Sequence, residues 1–362
     1  MRNRLFVVLA LISLLGFNLI STVGHAAWSV QEPLGIMKDT LQITALTRNF
    51  YRTNSKVWSW VPLFKFSTTR DVGSGDQTYV EYTIPGAGLL KFDCELNQRG
   101  NGFECGGRNI PDDKTSTHVG PVNFAIKMRN ELQGTNSTLF TGRMKVAKAN
   151  SNSGGPQAAN EWVYYVDHDW NLPIGYIFYT PNRGVYGWDY PTFNVAFWVR
   201  GEARNIEPHL FYQGKEIGRV FNDGIQMGAA SCEAVVENLT THSVADSVPE
   251  QAKWSRVECD FPMVKGWDKA GANQSDMFKM AANPGEYEVK ILWRNKLSRS
   301  IKFTVGPDGK LENGIATANK LGSGRVIVPV SILGDNDGKW DKLAWKTEAF
   351  YGNPLTGFTP PQ

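Results

Sequence analysis

An all-β fold, two β-sandwich domains in tandem followed by an aromatic-rich C-terminal segment, is what the sequence predicts. Three observations carry it. The chain of 362 residues holds 36 glycines, 18 prolines and 12% aromatic residues, a mixture that suits a β-rich extracellular protein. Short runs of alternating apolar and polar residues recur along it, separated by turn-forming clusters. Two stretches, one in each half, carry similar features in the same order.

The first 26 residues come before any of this. They open with Arg2 and Arg4, continue as an apolar run from Leu5 to Ile20 and close on Gly24, His25 and Ala26. That pattern reads as a secretory signal peptide cut before Ala27; the run is short for a membrane-spanning helix. Of 38 basic residues the leader removes two, leaving 36 against 35 acidic, a net +1 for the mature chain. Near-neutrality gives no electrostatic footprint for nucleic acid or for an anionic membrane face. The expected location is therefore secreted, periplasmic or on the cell surface.

The first sandwich is expected over residues 27–160. Leu41 to Tyr51 suits a first strand, although a helix from Gly35 to Leu46 fits nearly as well. Val57–Phe66 and Thr78–Ile84 alternate cleanly around the turn Asp71–Asp76, and two short strands follow, each ending in a cysteine, Cys94 and Cys105. Asn123–Met128 and Leu139–Lys148 make the last pair. Residues 161–190, dense in Trp and Tyr and broken by Pro173 and Pro181, read as an aromatic joint between domains.

The second sandwich is expected over residues 191–306. Thr192–Glu202 is a strand, His209–Val220 a hairpin turning at Gln213-Gly214, and 222–253 a long loop that holds Cys232. Ser255–Pro262 is a strand, Met277–Asn283 a short helix, and Gly285–Trp293 with Ser298–Gly306 a closing pair. Pro284-Gly285 with Tyr287 at a strand's start resembles the tyrosine corner of Greek-key sandwiches, in which the phenol bonds back to the connecting loop. That resemblance covers only this end of the domain; alternation and turn spacing carry the fold prediction without it, two tandem immunoglobulin-like (Greek-key) sandwiches. Residues 307–362 supply one more strand, Gly324–Leu333, and a tail too apolar for disorder that should pack on a domain or a partner.

The shared order is specific in five places. Pro62-Leu63-Phe64, Cys94-Glu95, Glu104-Cys105, Gly120 and Met144–Val146 run parallel to Pro191-Thr192-Phe193, Cys232-Glu233, Glu258-Cys259, Gly285 and Phe303–Val305. Four cysteines in an oxidising compartment are most simply two disulfides; zinc fits poorly without a Cys-x-x-Cys. A duplication selects Cys94 with Cys105 and Cys232 with Cys259.

Catalytic signals are thin. The mature chain keeps His118, His168, His209 and His242, and it has no nucleophile elbow, zincin motif or phosphate loop. Asp167-His168-Asp169 is the one cluster of ionisable groups that could form a site. Its aspartates could ligate calcium, or one could serve a distant histidine; tying the joint by backbone hydrogen bonds is the plainer reading. Asp335–Gly338 with Asp341 has its glycine too early for a calcium loop and reads as a solvated hairpin turn. Trp188, Trp267, Trp340 and Trp345 lie in loops or the tail and could meet a partner, whereas Trp198 and Trp293 belong to strands and to the core. Asn136, Asn238 and Asn273 fit the glycan-acceptor pattern. The functional expectation is a structural, adhesion or protein-binding module without cofactor, working through a protein partner or self-association. The alternatives are a carbohydrate-binding protein with tryptophan platforms and a hydrolase with unrecognised carboxylates.

Overall fold

The computed structural model describes residues 34–49, 58–96, 102–151, 162–180, 192–219, 232–239, 248–262, 278–312, 314–319, 321 and 325–361. Residues 34–362 form one unit, and 58% of the described residues are strand. Among the described residues, seventeen strands build two sheets in a sandwich- or barrel-like arrangement. The all-β class follows from the alternation that predicts it: β15 (Gly285–Trp293) buries alternate side chains, and β2 (Trp58–Ser67) does so from Pro62 onward, after the consecutive buried residues Ser59–Pro62.

The eight-stranded sheet runs in the order β1 (Gln42–Asn49), β2, β5 (Gly102–Gly106), β4 (Gly88–Leu96), β3 (Asp76–Ile84), β6 (Gly120–Asn130), β7 (Thr135–Asn150) and β8 (Trp162–Val166). It folds over on itself. Phe64 of β2 meets Phe124 of β6 at 5.1 Å between ring centres, and the end strands come together where the Tyr164 amide donates to Thr47 Oγ1 at 2.7 Å.

The nine-stranded sheet runs β12 (Lys215–Arg219), β11 (Ile206–Tyr212), β15, β16 (Lys296–Val305), β17 (Val326–Ile332), β9 (Ile174–Thr180), β10 (Thr192–Arg200), β14 (Trp254–Pro262) and β13 (Cys232–Val236). Here the residues around Cys232, expected inside a long loop, form β13 instead. The segment is too short to show a period, and its pairing with β14 makes it a strand. Phe193 stacks on Phe303 at 5.0 Å. Tyr287 Oη donates to Asn283 O at 2.7 Å, back to the loop that precedes its strand.

Register places the paired features of the two sheets in equivalent positions. Cys94 stands opposite Cys105 and Cys232 opposite Cys259, each joined by a disulfide. Gly120 faces Val146 as Gly285 faces Val305, and both glycines hold positive φ, 122° and 137°. The proline-containing triplets do not coincide. Phe64 stands opposite Cys105, but in the second sheet Val195 stands opposite Cys259 and Phe193 two residues away. Strand alternation tolerates a shift of two, because it leaves every side chain on the same face.

Other local expectations change in the structure. The N-terminal strand prevails over the helix: only Lys38–Thr40 makes a 3-10 turn before β1. Met280–Ala282 is likewise a 3-10 turn rather than a longer helix. Asn238 is fully buried, donating to Ala252 O at 2.6 Å and accepting from the Trp254 amide at 3.0 Å. Folded, that sequon is closed to glycosylation. Asn136 is exposed, and Asn273 lies outside the described residues.

Candidate functional site

The segment between β8 and β9 is where the halves and the tail converge. Its local course follows from sequence: the Asp169 amide bonds back to Asp167 Oδ1 at 3.3 Å, and Asp169–Asn171 turns as a 3-10 helix. Pro173 then leads into β9. Asp167 pairs with Lys145 of β7 at 3.0 Å. Asp169 accepts from the Asp341 amide of the tail at 2.9 Å and lies 3.8 Å from Arg200 of β10. Burial, with the Asp167 charge second, raises the Asp169 pKa above the usual carboxylate range.

His168 points inward. It is 4% exposed, its Nδ1 has no hydrogen-bond partner among the described residues, and its Nε2 lies 3.4 Å from Tyr351 Oη. Burial pulls its pKa down to about 4, against a smaller opposing effect of Asp167, so at neutral pH the ring is uncharged.

Over this segment lies the tail. Phe350 meets Trp170 at 5.3 Å, and Tyr351 packs edge-on against Phe124, His168 and Trp170. Tyr351 Oη also accepts the Ile43 amide at 2.8 Å. Phe350 and Tyr351 both take left-handed backbone angles, φ 49° and 58°, a conformation that costs a non-glycine residue roughly 1–2 kcal/mol. Burial of both rings holds them there. The tail is further anchored by Asp337, which is 4% exposed and bonds Arg299 Nη2 at 2.5 Å and the Arg200 amide at 2.9 Å. The expected turn is present, closed by the Gly338 amide on Asp335 O at 2.9 Å, with Asp335 and Gly338 exposed, but the Asp337 side chain is buried rather than solvated. Its partner lies 38 residues away in β16, beyond any local pattern.

Two cavities flank the segment. One, of about 320 Å³, is lined by Arg143, Lys145, Asp167, Asp169, Asp341 and Glu348, among others; its charges are largely paired, Arg143 with Glu348 at 2.6 Å and Lys145 with Asp167. The other, of about 490 Å³, lies between β1, the β8–β9 segment and β10. Trp170, Tyr176 and Trp198 line it. So does Glu237, which accepts from Trp198 Nε1 at 2.7 Å and Arg256 Nε at 2.6 Å. Asp39 borders this cavity with both carboxylate oxygens buried and without a donor among the described residues.

Of the residues singled out in the sequence, the structure brings together Asp167 and Asp169. Trp340 and Trp345 are half-buried against the first half's core, and Trp345 leans on Phe358 at 6.1 Å. Trp188 and Trp267 lie outside the described residues. Among the described residues, no three His, Cys, Asp or Glu side chains are grouped so as to hold a metal ion. No described helix is long and apolar enough to cross a membrane. Asp39, Glu237 and Arg256 escape sequence reasoning, because nothing local links positions 39, 237 and 256. The aromatic density of 161–200 is the one pointer to their cavity.

No known family and no curated protein matches the chain. Among solved structures it is similar to one titled "Biofilm associated protein - B domain", at 10% identity over 89% of this chain and 100% of that one, with a TM-score of 0.14.

Proposed function

We propose that this chain is an exported, non-catalytic structural, adhesion or protein-binding module of the periplasm or cell surface, built from two tandem immunoglobulin-like sandwiches. Strand order supports the architecture. In the first half one layer runs first, second, fifth, fourth (β1-β2-β5-β4) and the facing layer contains β3-β6-β7; in the second half the corresponding layers are β9-β10-β14-β13 and β11-β15-β16, the same order once the extra edge strand β12, beside β11, is set aside. That is the order of the immunoglobulin-type Greek key, and the Tyr287 bond belongs with it.

The observation that carries the functional reading is how the ionisable cluster at 167–169 is used. Asp167 fastens β8 to β7, Asp169 fastens the connecting segment to the tail, and His168 is buried neutral under Tyr351. A third apolar cluster, Val163 with Leu239, Val248 and Ala252, joins the halves beside it. Tandem domains move against each other unless the contact is extensive and apolar. These contacts favour a fixed joint, which suits a part that transmits position or force. They leave the cluster poorly placed for turnover.

The test has two arms. The mature protein is screened against chromogenic glycosides, esters and peptides beside the double variant Asp167→Asn/Asp169→Asn, and its size is followed by light scattering over a hundredfold dilution. The reading expects no turnover that depends on the aspartates, and self-association or capture of a defined protein partner. Turnover abolished in the double variant would make the chain an enzyme and end this proposal.

A further inference from the structure

Two polar groups on the wall of the larger cavity are uncommitted. Asn171, at the end of the 3-10 turn between β8 and β9, is 6% exposed; its carboxamide has no hydrogen-bond partner among the described residues, yet neither its nitrogen nor its oxygen is sealed from water. Tyr176 of β9 is 5% exposed, and its hydroxyl is likewise without a partner and not sealed. Both residues line the cavity. An interior amide or hydroxyl left without a partner costs free energy, so these are open positions on one space of about 490 Å³, a volume within the usual range for small-ligand sites. The Asp39 oxygens and His168 Nδ1 border the same space but are sealed and offer an occupant nothing.

The wall defines the chemistry of an occupant. Its charges answer one another: Arg256 donates to Glu237 and Glu258 at 2.6 and 2.7 Å, Arg325 lies 3.8 Å from Glu258, and Lys38 offsets Asp39. A charged ligand would upset that balance. The open groups are themselves uncharged, and each both donates and accepts. Burial raises the Tyr176 pKa above the ordinary tyrosine value, so its hydroxyl keeps its proton. Trp170 and Trp198 add aromatic surface, Trp198 edge-on to Tyr176 at 5.5 Å. A sugar carries hydroxyls round its whole ring, more than these two groups satisfy, and would strand several. A flat ring with a single amide or lactam group matches the wall: its N–H and C=O pair with the planar carboxamide of Asn171, and the carbonyl's second lone pair is left for the Tyr176 hydroxyl.

We propose that this cavity is a binding site for a small, neutral aromatic or heteroaromatic ring carrying an amide or lactam group, held by the Asn171 carboxamide and the Tyr176 hydroxyl against the aromatic wall. The site goes beyond the structural reading and stands or falls separately, since a joint between sandwiches needs no ligand. It also differs from tryptophan platforms on loops, because its rings are interior.

The experiment uses saturation-transfer NMR and thermal-shift measurements on the mature protein. The probes are benzamide, nicotinamide and uracil. Acetophenone, methyl nicotinate and dimethyluracil are their counterparts, which keep the ring and carbonyl but lose the N–H; benzoate and glucose stand for an anion and a sugar. The variants are Asn171→Leu and Tyr176→Phe, with Asp308→Ala, on an exposed loop, as control. At least one amide or lactam probe should give saturation transfer, raise the melting temperature of the unaltered protein and bind about tenfold or more tightly than its counterpart. Its affinity should fall about tenfold in Asn171→Leu and about threefold in Tyr176→Phe, and stay unchanged in the control. Neither side chain's polar group bonds within the protein, so both variants should fold; should Asn171→Leu fail to, Asn171→Ala takes its place. The proposal is overturned if no amide or lactam probe responds, if its counterpart, benzoate or glucose binds as tightly, or if the response survives either variant unchanged.

Discussion

The two halves share much of their strand order yet close their cores by different means. In the second half every buried core residue lies between Ile177 and Val330, so the unit seals itself with its own last strand, β17. The first half's core takes in Tyr176, Ala196, Trp198 and Ile327 from β9, β10 and β17, and also contains Ala344, Ala349, Phe350, Tyr351, Leu355 and Phe358, contributed by the tail. Similar topologies thus differ in self-sufficiency. The first sandwich depends on residues that enter the chain only after the second is complete. This asymmetry also explains the left-handed turn at Phe350 and Tyr351: the rings are held by the first half while Asp337 holds the chain to the second.

The largest effect should come from removing the tail while sparing its anchor. A chain ending at Lys339 keeps Asp337 beside Arg299 but loses four large buried side chains, Phe350, Tyr351, Leu355 and Phe358. At roughly 3–5 kcal/mol for each buried aromatic, the loss rivals the whole stability of an ordinary domain, about 5–15 kcal/mol. Urea denaturation should change from one transition to two, the first-half transition coming early.

Next is Asp337→Ala. Arg299 has 0% side-chain exposure, and stranding a buried charge costs about 3–5 kcal/mol. Denaturant midpoints should show that loss, and the pair Arg299→Met with Asp337→Leu should recover most of it. If Asp337→Ala alone is harmless, the anchor role of Asp337 is wrong.

Acid should weaken the joint through His168. Its folded pKa, about 4, lies below the unfolded value of 6.5, so the unfolded chain takes up the proton first. Stability is retained above pH 6.5 and falls as pH drops towards 4, by roughly 3 kcal/mol at about 1.4 per pKa unit. His168→Phe should flatten that part of the stability–pH curve.

The disulfides compare the halves directly. Each should contribute roughly 2–4 kcal/mol. The Cys232–Cys259 bond closes the longer loop, 27 residues apart against 11, so replacing it with serines should cost more, by under about 1 kcal/mol on chain-entropy grounds. Equal or reversed losses would show that strain or residual unfolded structure dominates.

The sequence shows this comparison only in part. Strand class, the cysteine partners and the glycines at 120 and 285 are legible because they depend on alternation and on local backbone geometry. The tail's destination is not, because apolar residues such as Phe350 and Leu355 specify burial without naming a partner. The role of Asp337 is hidden for the same reason: its neighbours Asn336 and Gly338 mark the turn that forms, but only β16 supplies the Arg299 that draws its side chain inward. β13 is hidden because five residues between loops cannot display a period. The candidate site follows this pattern. Asp167 and Asp169 stand out as neighbours in sequence, while Asp39 and Glu237 meet the cavity only through folding.

The central claim, that the tail adds to the first half's core and not to the second's, is tested most directly by hydrogen exchange on the chain ending at Lys339, compared with the full chain. The account predicts that amides of β1, β6 and β7 lose their protection while those of β15 and β16 keep theirs. Equal loss in both sets, or no loss in the first, would contradict it.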